Sequence, residues 1–134
     1  MSNKSVKYDL TVRNYSDLMK VREKFSKFAT ITEIDDITYI EYKDRRIRLF
    51  LDTHYIPISV GSVVNHFKGN RYYIQDTVIN SEDSKHMLVY QALYPPYEKF
   101  VRYAEEFTDV VDFEKYPDSK QCYRFVVVPK NSLR

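Results

Sequence analysis

Reaction or binding chemistry in this chain would fall to three histidines, one cysteine and the arginines among its 21 basic residues. Hydrolytic catalysis needs a nucleophile with a positioned base. His54, His66 and His86 fall on different elements, and no Ser or Cys near them carries a catalytic signature. Cys122 stands alone, which excludes an intrachain disulfide and a cysteine-held zinc. With no histidine near it in sequence, it reads as a small apolar residue. No His or Cys pair has ligand spacing, and Glu82-Asp83 lacks the further oxygen ligands of a calcium loop. GxxxxGK and GxGxxG phosphate loops are absent too. The expectation is a protein without catalysis, metal or cofactor.

Binding is better supplied. Arg102 shares strand parity with Phe100, so an inward face would set a guanidinium among aromatic rings, where it must be paired. Its partner would be Glu82, Asp76 or an anionic ligand. An arginine fork flanked by Tyr90, Tyr94 and Phe100 suits a planar, phosphorylated molecule through stacking and bidentate hydrogen bonds. The competing reading is an internal Arg–Glu pair. His66, Lys68, Ser81, Glu82 and Arg124 complete the candidate set, each with a plainer role beside it. His66 would be a hairpin-end histidine bonded to backbone, Lys68 a solvated turn residue, and Ser81 and Glu82 the caps of their own turn.

The bulk composition narrows the partners. A chain of 134 residues with 43% hydrophobic and 30% charged side chains makes one ordinary globular domain, or two small units sharing a core. A net charge of +2 exerts little long-range pull on a polyanion. Basic and acidic side chains also balance over residues 59–134, so any positive groove must come from arrangement alone. Surface tyrosines and phenylalanines could nevertheless stack bases, with Lys68, Arg71, Arg102 and Arg124 meeting phosphates. A nucleic-acid or protein interaction module is therefore the alternative to a small-ligand binder. Arg45, Arg46 and Arg48 cluster at a hairpin, as a wet edge or a phosphate contact. No apolar run nears the roughly 20 residues that span a bilayer, and the N-terminus lacks the apolar core of a secretion signal. The expectation is a cytoplasmic protein with no membrane partner. Strand edges and tyrosines also suit a symmetric interface between copies.

The elements that position these residues follow from periodicity. Val6, Tyr8, Leu10 and Val12 alternate with polar residues, which predicts a strand with one wet face. Ser16 is the expected N-cap of a helix carrying Leu18, Val21, Phe25 and Phe28 at helical spacing. The segments ATITEI, ITYIEY and RIRLFLD follow, the last two joined by a polar turn at residues 43–45, and the unit over residues 1–57 reads β-α-β-β. Pro57 marks the connection to residues 58–134. There GSVVNHF turns at Lys68-Gly69-Asn70 into RYYIQDTVI, and a second turn at residues 80–84 leads into KHMLVYQALY. Pro95-Pro96 ends that strand before Lys99–Arg102. Tyr103–Phe107 reads as one helical turn, with TDVVDFE and CYRFVVV as closing strands. The 13 tyrosines and 8 phenylalanines favour strands. With only Gly61 and Gly69 available, the other turns must use Asn, Asp, Ser and Pro.

Over residues 61–125 the pattern resembles the bacterial and phage family known as domain of unknown function 1653, whose motif runs HFKG, Tyr, HSET, VVYxxLYG, WVRPxxMF and PRF. The matching residues are His66, Phe67, Lys68, Gly69, Tyr72, Ser81, Glu82, Val89, Tyr90, Leu93, Tyr94, Val101, Arg102, Phe107, Arg124 and Phe125. Departures are Asn80 for His, Asp83 for Thr, Pro95 for Gly, Phe100 for Trp, Tyr103 for Pro, Glu106 for Met and Tyr123 for Pro. The resemblance implies a small β-rich module and no established activity. The expected architecture is α+β, mostly β: a β-α-β-β unit packed on a small curled antiparallel sheet or β-barrel. The expected function is recognition of a small anionic, nucleotide-like ligand, for example to sequester a nucleotide signal.

Overall fold

The computed structural model describes residues 5–133. It divides into two compact units, residues 5–55 with 110–122, and residues 56–109 with 123–133. The break after Tyr55 falls beside the connection read at Pro57. Residues 110–122, expected in the C-terminal module, instead cluster with the N-terminal unit.

The first unit contains β1 (Val6–Val12), α1 (Tyr15–Ser26), β2 (Thr30–Ile34), β3 (Ile37–Tyr42) and β4 (Arg45–Leu51). Three strands follow the helix, so the unit is β-α-β-β-β and not β-α-β-β. Its sheet has the order β1-β4-β3-β2, with β1 parallel to β4 and the other pairs antiparallel. Asn14, not Ser16, caps α1. Its extended backbone lets the side-chain oxygen accept from the Asp17 amide at 2.8 Å, which starts the helix two residues early. Val21 and Phe25 of the helix are buried, as are Leu10, Val12, Ile40, Ile47 and Leu49 of the strands. Phe113 from the returning segment packs on Phe25 at a ring distance of 4.5 Å. That is why residues 110–122 belong here: VVDF supplies core side chains and not a ladder strand.

The second unit is a five-stranded sheet of order β8-β7-β6-β5-β9, all pairs antiparallel and not closed into a barrel. Its strands are β5 (Val63–His66), β6 (Arg71–Ile79), β7 (His86–Ala92), β8 (Lys99–Tyr103) and β9 (Phe125–Val127). The helical turn expected after Tyr103 is a short 3-10 helix, Ala104–Thr108. It drops Phe107 onto Val64, Ile74, Leu88, Tyr90 and Phe125 of the sheet's inner face. Scarce glycine is met as anticipated at Asp35, Asp36 and Ser84, which take positive φ alongside Gly61 and Gly69, but Lys43 and Tyr97 do so too, outside the expected residue types. The fold is thus α+β and mostly β.

Candidate functional site

Strand pairing assembles the site on the inner face of the second sheet. Phe100 lies opposite Tyr90 and Arg102 opposite Leu88 in the β7–β8 ladder, so Phe100 and Arg102 share the core-facing side. Across β7, Ile74 faces Tyr90 and Tyr72 faces Ala92. His66 pairs with Phe125 at the far side. The rings meet in one cluster centred on Tyr72, which lies 5.4 Å from Tyr90, 5.7 Å from Tyr94, 6.4 Å from Phe100 and 5.8 Å from Phe125. Most of these contacts are edge-to-face, the arrangement that ring quadrupoles favour. The hydroxyls of Tyr72 and Tyr94 are 2.8 Å apart. Burial and that hydrogen bond push the Tyr72 phenol up to about 12.

Arg102 sits at the open margin of the cluster, about one third exposed, as is its neighbour Phe100. Its Nη1 donates to Glu106 Oε2 at 3.1 Å and its Nε to Tyr90 Oη at 3.3 Å. The carboxylate expected from Glu82 or Asp76 is therefore supplied by Glu106, on the 3-10 helix that follows β8. Glu106, a departure from the motif, is the internal partner of the Arg–Glu pair. One edge of the guanidinium is committed while the residue keeps part of its surface in solvent.

His66 forms the opposite margin. Its Nδ1 accepts from the Lys68 amide at 3.2 Å, the backbone bond expected of a hairpin-end histidine. Burial, followed by the positive charges of Arg124, Lys68 and Arg102, lowers the imidazole to about 4. It is neutral at physiological pH. Desolvation opposes a charged ring, and the three cations act in the same direction. Arg124 also lies 3.9 Å from Asp109, and Lys68 Nζ stands over the Phe67 ring at 5.7 Å.

Ser81 and Glu82 are placed elsewhere, in the β6–β7 turn. There the Glu82 amide donates to Asn80 Oδ1 at 3.0 Å, so the cap of the turn is Asn80 and not the expected Ser81 or Glu82. That turn carries two of the motif departures, Asn80 and Asp83, and both bond to a third, Tyr103 at the end of β8. Asn80 Nδ2 donates to Tyr103 Oη at 3.0 Å, and Tyr103 Oη donates to Asp83 Oδ2 at 2.5 Å. The hydrogen bond from Tyr103 holds the Asp83 carboxyl below the usual carboxylate range.

Several other nominated groups are accounted for. Cys122 is 1% exposed and burial pushes its thiol up, which keeps it protonated and unreactive. Arg48 forks onto Asp9 at 3.0 and 2.9 Å, Arg45 pairs with Asp118, and Arg46 stacks on Tyr39 at 4.2 Å. The basic triple is thus taken up within the first unit. A cavity of ≈ 520 Å3 in the second unit is lined by Ile56, Val60, Val63, Val127, Lys130 and Leu133 among others, and holds none of the nominated residues. Among the described residues, no cluster of His, Cys, Asp and Glu has metal-binding geometry, and no helix is long and apolar enough to cross a membrane.

Tyr72 and Glu106 are the residues that sequence reasoning missed as site members. Tyr72 had a usable signal, since it shares parity with buried Ile74 two residues on. Glu106 had one as well, since the helical turn expected after Tyr103 brings the residue four on from Arg102 back onto its side chain.

Comparison with known proteins agrees with the motif. Residues 62–127 match the family described as Protein of unknown function (DUF1653). A stretch of 68 residues is 35% identical to Ribonuclease J 2 of Streptococcus pyogenes serotype M3 (strain ATCC BAA-595 / MGAS315), covering 51% of this chain and 12% of that protein. The likeness thus reaches only a small part of the ribonuclease. No solved structure matches this chain.

Proposed function

Taking residues 62–127 as a DUF1653 segment, we propose that it binds a nucleotide-like anion without catalysing its turnover. The observation that carries this reading is the part-exposed guanidinium of Arg102, held by Glu106 and Tyr90 beside the part-exposed Phe100 ring at the margin of the aromatic cluster. Phe100, 37% exposed, offers a ring face at the margin next to Arg102. A base stacks on such a ring while a phosphate takes the free edge of the guanidinium. Nothing in the set pairs a nucleophile with a base. His66 is too weakly basic for acid chemistry near neutrality, and its Nδ1 is engaged by backbone. Sequestration of a nucleotide signal is one use such a protein would have.

A second reading, a single RNA strand along the same face, is favoured by the likeness to part of a protein named a ribonuclease. Aromatic stacking beside cations serves a strand as well as a free nucleotide. Thermal shift with mono-, di- and cyclic nucleotides and short oligonucleotides separates the two. A ligand at about 100 times its dissociation constant adds roughly 2.7 kcal/mol of stability. The small-ligand reading expects one nucleotide to raise the melting temperature, with the shift lost in Arg102→Ala. Oligonucleotide shifts erased by salt would favour the strand. No shift from any of them would refute both readings.

A further inference from the structure

We propose that the free edge of β8 is a self-pairing interface, through which two copies of this chain join their five-stranded sheets across a two-fold axis at Val101. β8 ends the sheet, with β7 as its partner in it. The Ala92 amide donates to the Glu98 carbonyl at 2.9 Å just before the β7–β8 register begins, which fixes the alternation of the ladder. Phe100 and Arg102 therefore direct their backbone groups to β7, whereas Lys99, Val101 and the Tyr103 amide point outward, the Tyr103 carbonyl being taken by the 3-10 helix it caps. An edge that presents donors and acceptors in this way is a template for another strand.

The sequence of the edge selects that strand. In Lys99-Phe100-Val101-Arg102-Tyr103, antiparallel pairing about Val101 sets Val101 against itself, Lys99 against Tyr103 and Phe100 against Arg102 of the second copy. Each cation meets an aromatic ring, and no like charges oppose. The Phe100–Arg102 contacts fall at non-hydrogen-bonded positions, where Cα atoms are about 4.5 Å apart and side chains are closest. The outward backbone groups of Lys99 and Val101 and the Tyr103 amide meet their counterparts at hydrogen-bonded positions. Exposure agrees, since Val101 is 53% and Phe100 37% exposed while Leu88 and Tyr90 of the adjoining strand are buried. The opposite edge, β9, has three residues and runs into Pro129, which gives it little to offer. This pairing stands independently of any ligand, although it would bring the Phe100 and Arg102 of two sites together.

Light scattering after size exclusion, without ligand, tests the proposal on wild type, Val101→Pro and Val101→Lys. Proline removes an N–H that points away from β7, so the monomer's own ladder is retained, and lysine sets two like charges face to face. The expected result is twice the chain mass for wild type and the single mass for both variants, with circular dichroism unchanged. Ile79→Lys, on another exposed apolar residue, should remain dimeric. Should Val101→Pro fail to fold, Val101→Lys decides alone. A monomeric wild type at tens of micromolar, or a dimer that persists in Val101→Lys, would overturn the proposal. A nucleotide-binding result of either sign leaves this mass measurement unaffected, so the two claims fail separately.

Discussion

Arg102 and Glu106 are joined at 3.1 Å across the junction between β8 and the 3-10 helix, and Tyr90 takes the guanidinium's Nε. The pair places a positive group at the margin of an aromatic cluster while neutralising part of its charge. It also ties the helical turn that delivers Phe107 to the strand beside it.

Removing the carboxylate should therefore strengthen anion binding. In Glu106→Gln the guanidinium loses its internal counter-charge but keeps Tyr90, so nucleotide-induced thermal shifts should grow by several degrees. The loss of the part-exposed pair itself should cost no more than about 1 kcal/mol. A smaller ligand shift in Glu106→Gln would mean that the carboxylate takes part in recognition.

Acid should weaken the second unit through His66. Its folded pKa, about 4, lies below the roughly 6.5 of an unfolded histidine. Between these values the unfolded chain takes up a proton that the folded one refuses. The stability held by the neutral ring is complete above about pH 6.5 and is lost progressively toward pH 4. Urea melts across that interval should lose less stability in His66→Gln than in wild type. Equal slopes would show that the imidazole is not held neutral.

The Asn14 cap is testable in isolation. Asn14→Ala strips the acceptor from the Asp17 amide and should cost about 1 kcal/mol, a fall of several degrees in melting temperature. Ser16→Ala should leave the melting temperature within about one degree of wild type.

The turn network makes a local prediction. Tyr103→Phe deletes the hydroxyl that accepts from Asn80 and donates to Asp83, a loss on the order of 1 kcal/mol. Amide exchange in the β6–β7 turn should quicken, while the β5–β6 turn at Gly69 is unchanged. Uniform protection in both turns would exclude a holding role for Tyr103.

The legible parts of this chain are those where one local signal decides. Alternation in residues 6–12 and the two polar turns of the second unit specified β1, β5, β6 and β7, because a strand with one buried face has no other way to hide its apolar residues. The motif from His66 to Phe125 identified the family segment. Residues 108–114 misled because alternating apolar side chains also suit an irregular segment that inserts Val111 and Phe113 into a core. The cap failed for a related reason: Asn14 and Ser16 are both good caps, and only the backbone at Asn14 decides between them. At the site, parity placed Phe100 and Arg102 on one face correctly. The partner of Arg102 was legible but unread: the expected helical turn after Tyr103 brings the residue four on back to the arginine, whereas Ser81 and Glu82 were drawn in by motif order alone.

The central claim is that a nucleotide binds at the inner-face margin bounded by Phe100, Arg102 and His66. Nitrogen–proton correlation spectra of the labelled protein, recorded while a nucleoside monophosphate is added, test it most directly because the Arg102 Nε–H signal reports on the proposed contact. The account predicts saturable shifts of that signal and of the Phe100 and Phe67 amides, absent in Arg102→Ala. Shifts confined to other surfaces, or none at millimolar nucleotide, would contradict it.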